Sequence, residues 1–423
     1  MNTPKQLQSF WMPTLTTIAL LCVNDALARA NYQVTDLGTR EPGFFGCTMG
    51  LNNHGGTETQ YGLLNAAGAL VKGRLALRIG GVTIDLGTLG AADNNTWDNP
   101  FGGEINDRGE AVGYSELDVL DPDGEDVCAF GTHRECRAFL WKDGHMRALP
   151  TLGGNNAQAS AMNNRGQITG FAETTTPDSG CSPSAPAHVE KPVIWEKGMA
   201  HALPTVGKDP DGEAEMINDQ GQAVGYSGTC TAALHAVFWR DEHTVLPLPD
   251  LGNGGFAFGI NNQGGIVGTI GSADGTTEDA ALWQNGKLMD LHTVVGDFGA
   301  IASGINDKGQ IVGSTIDSNF SFLHAFIYED GEMINLATLF PASANMLPTM
   351  ANTINSRGQI VGMGTILSGP HKGETHAFLA TPVNASIGAT VADVAPMYQE
   401  SNLPPTAGKR ALAQKFKLGR FRQ

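Results

Sequence analysis

The chain has 423 residues, a formal net charge of −17 and 55 glycines, and only 16% of its residues are charged. So acidic a chain offers no basic surface to a phosphate backbone, which excludes nucleic acid as an expected partner. A hydrophobic content of 41% is that of a globular protein, and this much glycine indicates many tight turns between short strands.

The first thirty residues form a segment of their own. Lys5 precedes an uncharged, largely apolar stretch at 11–24, and Ala-Arg-Ala at 28–30 places small residues where a signal peptidase cuts. This pattern predicts a signal peptide at 1–30, because the apolar stretch is too short and interrupted for the alternative, a membrane anchor. Leu21 before Cys22 disfavours lipidation. We therefore expect a secreted or periplasmic protein with no transmembrane segment after cleavage.

One phrase recurs along the rest of the chain: an apolar residue, Asn, usually Asn or Asp, a variable residue and Gly. Its seven copies begin at Leu51-Asn52, Ile105-Asn106, Met162-Asn163, Ile217-Asn218, Ile260-Asn261, Ile305-Asn306 and Ile354-Asn355. A second glycine follows each asparagine by seven residues except in the first copy, where Thr59 makes the second strand the least well predicted. Each phrase predicts a β-hairpin whose Asn and Asp residues form the turn rather than bind a ligand.

A second phrase follows each hairpin and predicts a third and a fourth strand. Its third strand is typified by Ala138-Phe139-Leu140-Trp141, and its fourth ends in a leucine such as Leu149. The leucine follows the start of the phrase by 11 or 12 residues, and Leu75 to Leu86 repeats this spacing in the first copy. Four short antiparallel strands per unit are the blade of a β-propeller, whereas a β-helix requires parallel pairing.

The two ends of the repeat region complete each other. The last copy stops after Phe378-Leu379 without a fourth strand, and Tyr32 to Gly38 is typical of a fourth strand with no copy before it. Their pairing would close a ring without edge strands, whereas an open solenoid does not require its two ends to pair. We therefore predict an all-β protein, a monomeric seven-bladed β-propeller of four-stranded antiparallel blades at 31–382, closed by an N-terminal strand that completes the last blade.

The remaining segment, 383–423, carries six basic residues against two acidic ones. We expect this basic C-terminal tail to be disordered. The alternatives are that it folds back onto the acidic body or contacts an anionic bacterial surface.

Several phrases resemble those of a known family. His324-Ala325-Phe326 and His376-Ala377-Phe378, with Asp85-Leu86-Gly87-Thr88-Leu89-Gly90 and the hairpin at 305–313, are similar to bacterial extracellular repeat proteins of the HAF-repeat family. The resemblance covers 32–380 and implies secretion and a propeller-like fold. It carries over no catalytic residue.

Five cysteines follow the predicted signal peptide, in a compartment where disulfides form. Cys128 and Cys136 close a short loop and are predicted to pair. Cys181 and Cys230 lie in corresponding loops of consecutive copies and could form a bridge between them, which would leave Cys47 unbridged and buried. None of the cysteine spacings matches a zinc site.

Two long loops, 116–137 and 173–191, fall on the same face of the predicted propeller. Long loops at one rim usually build a binding surface, so we expect the site over the second and third blades. The first loop contains Asp121, Asp123, Glu125 and Asp126, whose oxygens suit calcium, although no EF-hand pattern is present. A related acidic phrase on the same face contains Asp209, Asp211 and Glu213. Solvated loop acids are the alternative, and we expect no other cofactor.

Two further groups of polar residues are candidates for ligand binding. One precedes the third strands, where its members could ring a ligand or bond adjacent turns: Arg137, His235, His324 and His376. The other is expected to face the channel: Glu104, Gln158, Glu215 and Asn352.

Only two of the channel candidates titrate, so we assign no catalytic residue. An enzyme needs an acid and a base aimed at one point. A binding module for a carbohydrate, a cell-surface polymer or a protein is therefore favoured over the alternative, a propeller enzyme such as a polysaccharide lyase or hydrolase.

Overall fold

A computed structural model describes residues 31–383, apart from 91–94, 98–102, 179, 181–187, 231, 293–296 and 319–320. Within this part of the chain, 28 strands form seven separate four-stranded antiparallel sheets, which are the blades of a seven-bladed β-propeller. Helix is confined there to two 3-10 turns, Leu336–Leu339 and Ala342–Ala344, and neither has the length that crossing a membrane requires. The predicted signal peptide and nearly all of the predicted tail lie outside the described residues.

The strands follow one another blade by blade. Strand β1 (Asn31–Gly38) precedes the first complete blade, which comprises β2 (Phe44–Leu51), β3 (Thr57–Leu64), β4 (Leu70–Ile79) and β5 (Val82–Asp85). The second blade comprises β6 (Thr96–Trp97), β7 (Ala111–Leu120), β8 (Arg134–Lys142) and β9 (His145–Ala148). The third comprises β10 (Gly153–Met162), β11 (Ile168–Pro177), β12 (His188–Glu196) and β13 (Met199–Ala202).

The remaining blades repeat this order. The fourth comprises β14 (Asp211–Ile217), β15 (Ala223–Thr229), β16 (Ala232–Asp241) and β17 (Thr244–Pro247). The fifth comprises β18 (Gly255–Ile260), β19 (Ile266–Gly271), β20 (Glu278–Gln284) and β21 (Lys287–His292). The sixth comprises β22 (Gly299–Ile305), β23 (Ile311–Ile316), β24 (Phe322–Glu329) and β25 (Glu332–Asn335), and the seventh β26 (Met346–Ile354), β27 (Ile360–Ile366) and β28 (Thr375–Val383).

Strand β1 supplies the fourth strand of the seventh blade, so the predicted closure of the ring is confirmed. It pairs antiparallel with β28, with Tyr32 opposite Pro382 and Asp36 opposite Phe378. The Tyr32 side chain is 2% exposed and lies in the same apolar core as Phe378. Burying an aromatic ring on each side of the closure, Tyr32 on β1 and Phe378 on β28, ties the first described strand to the last.

The second glycine of each repeat is explained by a close approach of two strands. A Cβ atom at Gly225 would lie 2.0 Å from the carbonyl oxygen of Glu213, so no side chain fits there. In the first copy Thr59 occupies this position, and β3 nevertheless forms beside β2. The hydroxyl groups of Thr59 and Thr48 lie 2.9 Å apart, so a hydrogen bond between these buried side chains joins the two strands.

The tryptophans that end the third strands join neighbouring blades. The indole N–H groups of Trp195, Trp239 and Trp283 each donate a 2.7 Å hydrogen bond to a proline carbonyl of the preceding blade. All three rings are at most 1% exposed. The aromatic phrase of the repeat therefore both fills the core and satisfies its polar atom, which is how a buried indole is normally accommodated.

The turn asparagines also link the blades. Each side-chain amide donates to the backbone carbonyl of the corresponding asparagine in the next blade, at 2.9 to 3.5 Å, and the last donates to the first. We call this closed ring the asparagine belt; its members are Asn52, Asn106, Asn163, Asn218, Asn261, Asn306 and Asn355. Their side-chain oxygens meanwhile accept N–H groups of their own turns, as Asn355 does from Arg357 and Gln359. One side chain thus forms the turn and joins two blades.

Candidate functional site

The propeller has two faces, and the asparagine belt lies at the centre of one of them. A shallow cavity of about 180 Å³ opens there, lined by the belt, by the apolar residue before each belt asparagine and by the residue after it. The carboxylates in this lining are engaged by their neighbours: Asp107, for example, accepts from the backbone N–H of Asn53 at 2.7 Å and from the Asn164 amide at 3.1 Å. On this face the polar side chains of each hairpin turn therefore hydrogen-bond the turns of the neighbouring blades.

The opposite face carries the long loops. In the loop between β7 and β8, the Asp121 carboxylate accepts the backbone N–H groups of Asp123 and Glu125 at 2.8 and 3.1 Å. A disulfide between Cys128 and Cys136 joins the end of this loop to β8. The loop is thereby held in a defined shape, with the carboxylates of Asp121, Asp123 and Glu125 turned toward the third blade.

Three carboxylates of this face converge on one buried amide. The Asn156 side-chain nitrogen lies 2.9 Å from an oxygen of Asp121, 2.9 Å from one of Glu173 and 3.3 Å from one of Glu125. All four side chains are buried, with exposures of 0 to 8%. We call these residues the acidic cluster. Since an amide nitrogen has only two hydrogens, it cannot satisfy three carboxylates at once.

The negative charge continues into the next blade through Glu190 and Asp211. One Asp211 oxygen accepts the backbone N–H of Glu190 at 2.9 Å, while the other is buried, and the Asp178 carboxylate lies nearby. Burial raises the pKa of Asp211 to about 7, and the nearby Asp178 carboxylate adds to the shift. Burial, followed by the charges of Glu173 and Asp211, raises the pKa of Glu190 well above its usual range. A site that holds this many carboxylates together favours a bound cation or a proton.

A possible ligand set for a metal lies at the edge of the acidic cluster. One donor atom each of Asp123, Glu125 and His188 lie within 4.8 Å of one another, and the Asp123 carboxylate is 3.8 Å from His188 Nδ1. Of the four predicted calcium ligands, the structure thus brings Asp123 and Glu125 together and places Asp121 beside them. Asp126 turns away and accepts the backbone N–H of Gly131 at 2.8 Å.

Sequence reasoning missed His188 and Glu173 as members of this site. We call the acidic cluster together with Asp123, His188, Glu190 and Asp211 the acidic region, which extends over the second to fourth blades. Glu173 lies in β11 and His188 begins β12, on either side of the second long loop, and Asp211 begins a strand of the next copy. The available signal was positional, since acidic residues occur at the same blade face in consecutive copies. Their convergence depends on how adjacent blades pack, which repeat spacing does not specify.

The candidates expected just before the third strands lie within those strands and contact adjacent loops. Arg137 donates to the Asn155 carbonyl at 2.7 Å and to Glu135 at 2.8 Å. His235, His324 and His376 each place Nδ1 against an aspartate, at 2.9, 3.0 and 2.9 Å, and these partners are Asp209, Asp297 and Asp36. The histidine of the repeated phrase thus recurs with an acidic partner, and the four residues are distributed around the ring.

The candidates expected to face the channel are largely enclosed between blades. Glu104, Glu215 and Asn352 are fully buried. The Asn352 amide donates to the Thr48 carbonyl at 2.8 Å, which joins the seventh blade to the first. The Gln158 amide donates to the Val127 carbonyl at 3.0 Å in the disulfide-bonded loop.

The other cysteines are placed as follows. Cys230 is disulfide-bonded, and Cys181, the partner considered for it from the sequence, lies outside the described residues. Cys47 is buried, with its sulfur 3.5 Å from the Asn352 amide nitrogen. The sulfur of Cys230 lies near Asp178 and Asp211, but a disulfide sulfur is not a thiolate and so is a poor metal ligand.

No family model matches the chain, and neither does any curated protein. Among solved structures it is similar to acylaminoacyl peptidase from Pyrococcus horikoshii, at 8% identity and a TM-score of 0.44, over 81% of this chain and 52% of that one. The β-propeller domain of the trilobed protease from Pyrococcus furiosus matches at 7% identity and a TM-score of 0.43, over 79% of this chain and 93% of that one. The chain therefore spans about half the length of the peptidase, and likenesses this distant say nothing of what it binds.

Proposed function

We propose that the protein is an extracytoplasmic binding module of the HAF-repeat type. Its loop-rich face over the second to fourth blades binds a carbohydrate, a cell-surface polymer or a protein, and calcium occupies the acidic region of that face. The observation that carries the proposal is the convergence of Asp121, Glu125 and Glu173 on the single amide of Asn156.

Calcium fits the donors of this region. Carboxylates taken out of water are costly unless their charge is compensated. Here three buried carboxylates converge on one amide, and the further donors given for Asp121 and Glu173 are neutral backbone N–H groups. The second, buried oxygen of Asp211 is a further acceptor that a cation would use. Calcium takes about 6–8 oxygen ligands in flexible geometry, so oxygens contributed by several loops suit it better than they suit magnesium.

A bound calcium ion would also order the binding surface. The acidic side chains come from the loop after β7, from β11 and from the start of β14, so cations held there would link neighbouring blades at the rim. A rigid, polar rim loses less conformational entropy when it binds a hydroxyl-rich polymer. The Cys128–Cys136 disulfide in the same loop supports an oxidising, extracytoplasmic location.

The proposal is tested with the full-length protein exported by a bacterial host. Calcium binding is measured by calorimetry, and a panel of glycans, cell-wall polymers and surface proteins is screened with calcium and with a chelator. We expect saturable binding that requires calcium and weakens at least tenfold in Glu173→Gln. Glu242→Gln, at a half-exposed side chain of another hairpin, serves as the matched control.

Product analysis on every polymer that binds separates the two functional classes. Binding without release of shorter fragments supports the binding module. Cleavage of a polymer would overturn it in favour of the polysaccharide enzyme, and equal binding by Glu173→Gln and the parent protein would move the site elsewhere.

A further inference from the structure

The loop between β27 and β28, in the blade that closes the ring, brings two histidines and a glutamate together. One oxygen of Glu374, Oε2, lies 3.1 Å from His371 Nδ1 and 3.3 Å from His376 Nε2. The planes of the two imidazoles are tilted, with ring centres 5.6 Å apart. Three donor atoms of different residues thus surround one small volume on the loop-rich face.

The other side of the His376 ring decides which nitrogen carries the proton. His376 Nδ1 lies 2.9 Å from both carboxylate oxygens of Asp36 on β1. A carboxylate only accepts, so Nδ1 donates its hydrogen there. In a neutral imidazole Nε2 then presents a lone pair to the Glu374 oxygen. Two acceptors facing each other at this distance require a cation between them, which is either a second proton or a metal ion.

The distances suit a metal ion. Zinc bonds to nitrogen and oxygen at about 2.0–2.2 Å, so neighbouring ligands of a tetrahedral site lie roughly 3.3 Å apart. The two separations centred on Glu374 Oε2, 3.1 and 3.3 Å, already have this value. A metal would replace two protons with one ion and satisfy all three donors at once.

The backbone around the cluster is already in place. The N–H of Glu374 donates to the His371 carbonyl at 3.0 Å, and the N–H of Gly373 donates to the Ile366 carbonyl at 2.9 Å. Gly373 has φ +85°, a left-handed conformation that most residues avoid, so the sharp turn at this point uses glycine. Little reorganisation is therefore needed before a metal can bind.

We propose that His371, Glu374 and His376 form a zinc-class metal site, in which Asp36 is the outer partner that orients His376. The carboxylate–histidine–metal arrangement is the usual way in which a ligating imidazole is fixed. Two histidines and one carboxylate leave at least one coordination position for water or a ligand, and the site faces solvent because His371 is 61% exposed.

This site is independent of the proposed calcium site. Its two nitrogen donors select a transition metal, whereas the oxygen donors of the acidic cluster suit calcium. Because Asp36 lies on the first strand and the three ligands on the last hairpin, a bound metal also holds the closure of the ring together. Zinc is therefore expected to raise the melting temperature as well as to bind.

The experiment is a zinc titration of the metal-stripped, full-length protein by calorimetry, followed by thermal unfolding with and without zinc. We expect one tight equivalent of zinc and a rise in melting temperature, and replacement by cobalt should give the intense visible absorption of tetrahedral Co²⁺. His371→Ala and Glu374→Gln should each weaken zinc binding at least 100-fold and abolish the rise. Asp36→Asn should weaken binding by roughly 10- to 100-fold.

His324→Ala is the matched control, because His324 bonds Asp297 at 3.0 Å as His376 bonds Asp36, yet it belongs to none of the metal-ligand groups found among the described residues. This variant should bind zinc like the parent protein. The proposal is overturned if the parent binds no zinc, or if the double variant with His371→Ala and Glu374→Gln binds it as tightly as the parent does. Calcium affinity should be unchanged in every one of these variants.

Discussion

The side-chain amide of Asn355 donates a 3.0 Å hydrogen bond to the backbone carbonyl of Asn52, although 303 residues separate the two in the chain. This bond is the last link of the asparagine belt, and it crosses the junction between the seventh blade and the first. Two connections therefore close the ring. The belt bond joins the seventh blade to the first, and β1 pairs with β28 within the seventh sheet. The two connections are formed by different kinds of contact and can be tested separately.

Asn355→Ala should destabilise the protein by about 2–4 kcal/mol, because it removes the link across the junction and leaves a buried carbonyl without its donor. Asn65→Ala is the matched control. The Asn65 side chain accepts N–H groups of Ala67 and Ala69 just as Asn355 accepts those of its own turn, but it lies in an exposed hairpin. Urea unfolding should show about 1 kcal/mol for the control, and equal losses would mean that only the turn matters.

Tyr32→Ala tests the closure within the seventh sheet. Truncating this buried ring should cost about 3–5 kcal/mol, while Thr35→Ala, at an exposed position of the same strand, should change stability by less than about 0.5 kcal/mol. Removing 31–38 should lower the melting temperature further, since it exposes the edge of β28. Unchanged thermal unfolding after that deletion would contradict a closed ring.

The fold was predictable because the repeat prescribes each hairpin locally and the end fragments prescribe closure. Even the first copy, which lacks the second glycine, forms its hairpin, since the Thr59 hydroxyl hydrogen-bonds that of Thr48. The cross-blade role of the asparagines was not predictable. A turn asparagine looks the same in the sequence whether its amide faces water, as in an exposed hairpin, or the next blade.

The site was predictable only in part. The face and the acidic loop were expected, but Glu173 and Asp211 reach the acidic region from other blades, and their approach depends on blade packing. The zinc-class cluster shows the same limit. His371, Glu374 and His376 are close in the sequence, whereas the carboxylate that orients His376 is Asp36, 340 residues away. Long-range pairing of this kind leaves no local pattern.

The acidic region should make stability depend on pH when calcium is removed. The pKa of Asp211 is about 7 in the folded protein, against an unfolded value near 3.9, so the folded state binds more protons between these values. The stability contributed by its protonated form is complete below about pH 4 and is lost as the pH rises through about 7. In a chelator, the melting temperature should therefore fall from pH 5 to pH 8.

Calcium should reverse this fall, and Asp211→Asn should reduce it by removing the titrating group. Thermal unfolding of both proteins at pH 5 and pH 8, with calcium and with chelator, is the measurement. Glu242→Gln should behave like the parent. A parent protein that is equally stable at both pH values in chelator would show that these carboxylates do not carry the charge assigned to them.

The disulfide should matter for calcium binding as well as for the fold. Cys128 and Cys136 are separated by eight positions, so replacing both with alanine should cost about 2–3 kcal/mol at most by the chain-entropy account. The same loop presents Asp121 and Glu125 to Asn156, and a looser loop must be ordered before it can bind an ion. We expect calcium affinity to fall about tenfold while the seven blades stay folded.

Paired alanine substitutions are preferable to a reducing agent, because Cys230 is also disulfide-bonded. Full calcium affinity in the double variant would show that the hydrogen bonds of Asp121 to the N–H groups of Asp123 and Glu125 are enough to hold the loop in shape.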